Sequence, residues 1–169
     1  MSNDAHYEKD FFEWTQQQAQ ALRRAANERV NTHLDWENIA EEIESLGKRD
    51  RNRATSFVRK ILEHLLKLKL SPAVEPRRGW KNEIASFRND LELSLDDSPS
   101  LRARVPEWIV AQWPKACKNA LLSMEDHDGA ASAQAVLAAL GQEPIFTVEQ
   151  VLSDDFYPSF DASPEAAPH

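Results

Sequence analysis

The chain has 169 residues, a net charge of −8, 41% hydrophobic and 28% charged residues, a composition and length that favour one globular domain with a sizeable core. The acidic balance argues against general affinity for nucleic acid or an anionic bilayer, and no run approaches the roughly 18 apolar residues that a membrane span needs. Cys117 is the only cysteine and Met1-Ser2-Asn3-Asp4 has no basic-then-apolar leader pattern, so a reducing, cytoplasmic location without disulfides or secretion is expected.

The first helix is predicted to follow Asp10. Asp10 and Glu13 have capping-box spacing, and Phe11, Trp14, Gln18, Ala21, Leu22 and Ala25 recur at helical intervals to about Ala26. Asn27 to His33 is polar and reads as a turn. The clearest pattern in the chain comes next, from Leu34 to Gly47. Asp35 stands where an N-cap belongs, and Trp36, Ile39, Ala40, Ile43 and Leu46 share one face. Gly47 is a candidate stop, because glycine commonly follows a helix C-terminus. The rhythm nevertheless resumes through Phe57, Ile61, His64 and Leu68, and a mid-helix glycine costs only about 1 kcal/mol. One long helix to Leu70, ended by Pro72, is favoured over two helices broken near Gly47.

Ser71 to Arg78 reads as a loop. A third helix runs from about Gly79 to Leu95, with Trp80, Ile84, Phe87, Leu91 and Leu95 as its buried stripe. Asp96-Asp97-Ser98-Pro99 is a turn, with Ser98 as the cap before a short helix around Leu101–Arg104. A fourth helix spans about Pro106 to Asp126 and packs through Trp108, Ile109, Gln112, Trp113, Ala116, Ala120, Leu121 and Met124. Pro114 inside it is expected to kink the chain before Trp113. Gly129 to Leu140 is alanine-rich and predicted helical. Thr147 and Gln150 repeat the capping-box spacing. Residues 159–169 are expected to form a disordered acidic, proline-containing tail. No strand alternation or internal repeat is visible. The fold class is all-α, an irregular helical bundle of about four main helices plus short helices, a single domain over residues 1–158.

Charge is segregated. Residues 35–46 carry five acids and no base, residues 48–81 carry eleven Lys or Arg against three acids, and residues 143–169 carry six acids and no Lys or Arg. These blocks must neutralise one another or leave a charged face exposed.

Three groups of side chains could carry chemistry. Glu37, Glu41 and Glu44 flank the apolar face of the acidic helix, and His64 shares a face with Phe57, Ile61 and Leu68, so it points toward the core. A carboxylate beside a buried imidazole would fix its tautomer and raise its pKa, and two or three carboxylates could hold a divalent metal. The more ordinary role is a structural Glu–His or Glu–Arg contact, since buried charges need partners. No histidine pair has helical spacing and no Glu-x-x-His occurs, and His6, His33, His127 and His169 are isolated, so no metal or cofactor is assigned. The second group is Lys48-Arg49-Asp50-Arg51-Asn52-Arg53, extended by Arg59 and Lys60. It could contact phosphate, but pairing with the acidic blocks is the commoner role. The third is Trp14, Trp36, Trp80, Trp108 and Trp113, which sit at stripe positions and read as core; Trp113, before Pro114, is where a cleft could open. Cys117 reads as a small buried hydrophobe. With glycine only at positions 47, 79, 129 and 141, no phosphate-cradling loop exists.

Tyr7-Glu8-Lys9-Asp10-Phe11-Phe12-Glu13-Trp14-Thr15 and the stretch from Leu34 to Gly47 resemble the bacterial domain of unknown function 29 family. His64-Leu65-Leu66-Lys67, Trp80 with Ile84, Asp97-Ser98-Pro99-Ser100-Leu101, Thr147 to Leu152 and Asp154 to Pro158 extend the resemblance over residues 7–158. It implies an all-helical protein found in cyanobacteria and proteobacteria, with no assigned activity and no catalytic residues to carry over. The turn from Asn27 to His33 is longer than the pattern suggests, and Gly129 to Leu140 is richer in alanine. The function expected is a non-enzymatic interaction module for another protein, a homodimer included. The rivals are a metal-dependent or acid–base enzyme using Glu37, Glu41, Glu44 and His64, and a less favoured nucleic-acid binder using Arg49, Arg51, Arg53 and Arg59.

Overall fold

The computed structural model describes residues 7–28, 34–125 and 143–160. The elements are α1 (Phe11–Asn27), α2 (Trp36–Leu70), α3 (Arg77–Asp97), a 3-10 segment (Pro99–Arg104), α4 (Val105–Glu125) and the short α5 (Val148–Leu152). The fold is thus an all-α irregular bundle of four main helices plus short ones, and no strand occurs among the described residues. None of their helices is long and apolar enough to cross a membrane. The expected helix at Gly129 to Leu140, most of the turn before Leu34 and the tail from residue 161 lie outside the described residues. Among the described residues, contacts gather into two compact units, one within 7–54 and 92–104, the other within 55–91 and 105–160.

In the first unit, Asp10 caps α1 by accepting from the Glu13 N–H at 2.8 Å. The same carboxylate accepts from the N–H and the hydroxyl of Ser100. The buried Ser98 hydroxyl accepts in turn from the Phe12 N–H at 3.0 Å. Two orphan donors of the first helical turn are satisfied in this way. Ser98 was expected to cap the segment it precedes. Its carbonyl does accept from Leu101 N–H, but its side chain serves α1.

The buried residues of α1 are Phe12, Thr15 and Ala19, one position on from the predicted stripe of Phe11, Trp14 and Gln18. Aromatic packing explains the shift. Phe11 and Trp14 are half-buried and cluster with Tyr7 at ring distances of 5.0–6.0 Å. The smaller Thr15 is left to face α2 at Gly47. In this part of α2 the buried positions are likewise the small residues Ala40, Gly47 and Ala54, whereas Ile39 and Leu46, read from the sequence as part of the apolar face, are 36% and 41% exposed. α2 is continuous over 35 residues, and Asp35 caps it through the Asn38 N–H at 3.3 Å.

In the second unit, Val58, Ile61, Leu62, Leu65, Leu66 and Leu68 of α2 are fully buried, together with Ile84 and Leu91 of α3 and Val105, Trp113, Ala116 and Ala120 of α4. Trp113 is 1% exposed and meets Phe146 edge-on at 6.1 Å, so it is core and opens no cleft of its own. Arg88 holds the C-terminal segment. Its guanidinium, 3% exposed, donates to the carbonyls of Val151 at 2.9 Å, Gln150 at 2.8 Å and Phe156 at 3.0 Å. These include carbonyls at the end of α5 that a short helix leaves without partners. At its other end α5 has the expected capping box, with Gln150 N–H donating to Thr147 Oγ1 and Thr147 N–H to Gln150 Oε1.

Gly47 gives a prediction opposite to helix propensity. Alanine is the better helix former by about 1 kcal/mol, but a Cβ at Gly47 would collide with Thr15 Oγ1 and press on the Phe12 ring. Gly47→Ala is expected to lower stability by about 1–3 kcal/mol in urea unfolding. Adding Thr15→Ala should recover part of the loss. A stabilised Gly47→Ala protein would show that α1 is free to move away from α2.

Candidate functional site

The residues expected to form an acid–histidine cluster are not brought together. α2 is one helix, so Glu37, Glu41, Glu44 and His64 lie along it rather than on two helices that face each other. Glu37 and Glu41 are exposed. Glu44 is engaged by Arg23 Nη2 at 2.6 Å and by Lys48 Nζ at 3.0 Å, and these two partners hold its carboxyl below the ordinary range. Among the described residues no three His, Cys, Asp or Glu side chains converge as metal ligands would.

The basic segment is likewise partly consumed. Arg59 pairs with Glu63 at 3.4 Å and donates to Ser56 Oγ at 3.1 Å. Arg53 acts on Asp50, opposing the rise that burial imposes on that carboxyl. Arg49 and Arg53 are exposed and Arg51 is half-buried.

His64 is 8% exposed, as its stripe position required, and its partners come from elsewhere. Nδ1 lies 2.8 Å from the Lys60 carbonyl oxygen, so Nδ1 carries the hydrogen and donates. Nε2 lies 3.1 Å from Lys67 Nζ and 2.8 Å from Glu83 Oε2. These contacts exclude one another: a lone pair accepts from Lys67, whereas an N–H donates to Glu83. Burial pushes the His64 pKa down; the adjacent Lys67 adds to this, and the Lys60 carbonyl, Glu83 and Glu63 oppose it. The neutral ring accepting from Lys67 is therefore the form at neutral pH. Lys67, 9% exposed, is also lowered by burial, against the pull of Glu83 and Glu63. Aromatic rings line this network. Phe87 meets the imidazole edge-on at 5.5 Å and carries Lys60 Nζ 4.9 Å above it, while Lys67 Nζ sits 5.5 Å over Trp80. Glu63, beside His64 in the sequence, accepts from Asn119 Nδ2 at 2.6 Å. Sequence reasoning found His64 but missed Glu83 and Lys67. The i, i+3 spacing of His64 and Lys67 was the available signal.

A second feature of the same unit was not foreseen. Pro106, Ile109 and Val110 of α4, with Pro144, Phe146, Thr147, Val148 and Glu149, line an open groove of about 400 Å³. Its floor is Ile109 and Phe146, 3% and 6% exposed, and Val110 stands at its mouth, 61% exposed. Cys117, the free thiol of α4, is half-buried, and burial pushes its pKa up to about 11, which leaves it unreactive at neutral pH.

Comparison with known proteins places these features in a family. The family model described as domain of unknown function DUF29 matches residues 6–157. A crystal structure at 1.45 Å of an alpha-helical protein of unknown function from Rhodospirillum rubrum ATCC 11170 is similar to this chain. The two share 32% identity and a TM-score of 0.72, over 89% of this chain and 90% of the other. No curated protein matches.

The His64 network predicts a pH dependence with a definite sign. The folded protein takes up this proton less readily than the unfolded chain, whose imidazole titrates near 6.5. The contribution of His64 to stability is complete above that value, falls as pH drops through it, and stops changing below the folded-state pKa. Urea unfolding across pH 4–8 should show this slope in the native protein and lose it in His64→Gln. In NMR titrations, Lys67→Met should raise the His64 pKa and Glu83→Gln should lower it further. A His64 that titrates at or above 6.5 contradicts the network.

Proposed function

The chain belongs to the domain of unknown function DUF29 family, and we propose that it works as a non-enzymatic, cytoplasmic protein-interaction module whose docking point is the groove between α4 and the Pro144–Glu149 segment. The supporting observation is the groove itself. It is concave and almost wholly apolar, and a large side chain, Val110, stands exposed at its edge. A contiguous apolar depression on a strongly charged protein costs solubility, and such patches mark binding surfaces. The exposed ends of α2 add nothing comparable, because Ile39 and Leu46 are separated by Glu42 and followed by Arg49.

The enzyme reading keeps one specific support, the contact of Lys67 Nζ with His64 Nε2, which pairs an amine and an imidazole that burial holds toward their neutral forms. Both side chains are nearly covered and bond each other within α2, with the Glu83 carboxylate of α3 beside them; that geometry suits a structural network better than a reaction centre. The nucleic-acid reading is weaker still, since Lys48 and Arg59 are engaged by Glu44 and Glu63.

Photo-crosslinking separates these readings. A benzophenone amino acid placed at position 110 in cells should give a discrete protein adduct. The same group at position 122, where Leu122 is 52% exposed on the same helix, should not. An adduct of twice the chain mass would identify a second copy as the partner. Equal labelling from both positions, or none from either, would remove the groove as a docking point.

A further inference from the structure

The groove offers a partner very little polar chemistry. Pro106 and Pro144 have no backbone N–H. The N–H and hydroxyl of Thr147 are both committed to the capping box with Gln150. The charged group on the lining is the Glu149 carboxylate, an acceptor, so a ligand that offers donors is favoured over one that offers acceptors. Apolar side chains do find a complement in Ile109, Phe146, Val110 and Val148. About 400 Å³ accommodates one or two large ones, at the small end of natural ligand sites.

Charge decides what flanks those side chains. Glu149 lines the groove and is exposed. Glu143 precedes Pro144, and Glu107 lies one helical turn before Val110 on α4; both are exposed. No Lys or Arg lines the groove, and residues 143–160 contain none. Hydrogen bonds from its own backbone N–H and from Thr147 hold the Glu149 carboxyl below the ordinary range, so its charge persists at neutral pH. The Glu149 carboxylate on the apolar lining, with Glu107 and Glu143 exposed next to lining residues in the sequence, disfavours anionic lipid and nucleic acid and favours cationic segments.

Resting on the module reading above, we infer that the groove takes an amphipathic helix of a partner protein, with one or two large apolar anchors flanked by Lys or Arg. Glu149, with the exposed Glu107 and Glu143, biases its orientation and its association rate, and the floor supplies the contact. The test uses three synthetic helical peptides that share a leucine–phenylalanine anchor and carry lysine, glutamate or serine flanks. Backbone NMR of the full chain reports binding at Val110, Phe146 and Val148. The lysine-flanked peptide should bind roughly tenfold more tightly than the glutamate-flanked one, weaken with salt, and lose its site in Val110→Glu. Glu107→Lys with Glu143→Lys, both at exposed positions, should reverse the preference while circular dichroism stays unchanged. Equal binding by all three peptides would overturn the charge selection and leave the module reading intact. If none of them moves the groove signals, both fail.

Discussion

At Gly47 the absence of a side chain lets the Thr15 hydroxyl and the Phe12 ring lie against the backbone of α2. A glycine so placed weakens its helix by about 1 kcal/mol, and here the close approach of α1 offsets that cost. Two features accompany this arrangement. α2 runs unbroken to Leu70, and its second half carries the fully buried Val58, Ile61, Leu62, Leu65, Leu66 and Leu68. In addition, α1 must turn Thr15 and Ala19, rather than Trp14 and Gln18, toward it. Its start is then held by side chains distant in sequence, Ser98 from one side and Ser100 through Asp10 from the other.

Much of this was legible because it is local. Periodicity over many residues placed four long helices, and capping chemistry placed the starts of α1, α2 and the short α5 at Asp10, Asp35 and Thr147, since each cap reads a donor only three residues away. Lateral choices were not legible. The phase of α1 depends on which of two adjacent aromatic rings finds a partner, and Phe11 and Trp14 found Tyr7. Arg88 sits on the stripe of α3, four residues after Ile84 and three before Leu91, where its charge argued for solvent. It is buried because three carbonyls of the C-terminal segment need its donors. For the candidate site, the inward aim of His64 followed from spacing. Its carboxylate did not, because the acids of the nearest dense block lie on the helix that carries His64, and Glu83 comes from α3.

The segregated charges resolve along the same lines. A block of acids beside a block of bases on one continuous helix neutralises itself first at i, i+4, as Lys48 with Glu44 and Arg59 with Glu63 do. Pairs of this exposure contribute no more than about 1 kcal/mol each, so they tune the surface rather than hold the fold. The stretch from residue 143 to 160 holds no Lys or Arg, so its acids find no i, i+4 partner of this kind, although Asp154 acts on Arg88 of α3.

The spent backbone at the helix ends bears on the docking role proposed for the groove. In a helical protein, polar groups at helix ends usually make ligand sites, because the first turn leaves N–H groups open. Here the start of α5 is closed by its own capping box, Asp10 and Ser98 close the start of α1, and Arg88 closes the end of α5. Each closure removes a position at which a small polar ligand could bind. The apolar wall left between Pro106 and Phe146 has no use for the fold as exposed surface. Burying such a surface is favourable by about 25 cal/mol per Å². Selection for solubility alone would replace Val110 with a charged residue at little cost to the core, since its side chain stands outside it. Under the proposed docking role, Val110 and the Glu149 carboxylate are what a partner's apolar anchor and its cationic flank would meet.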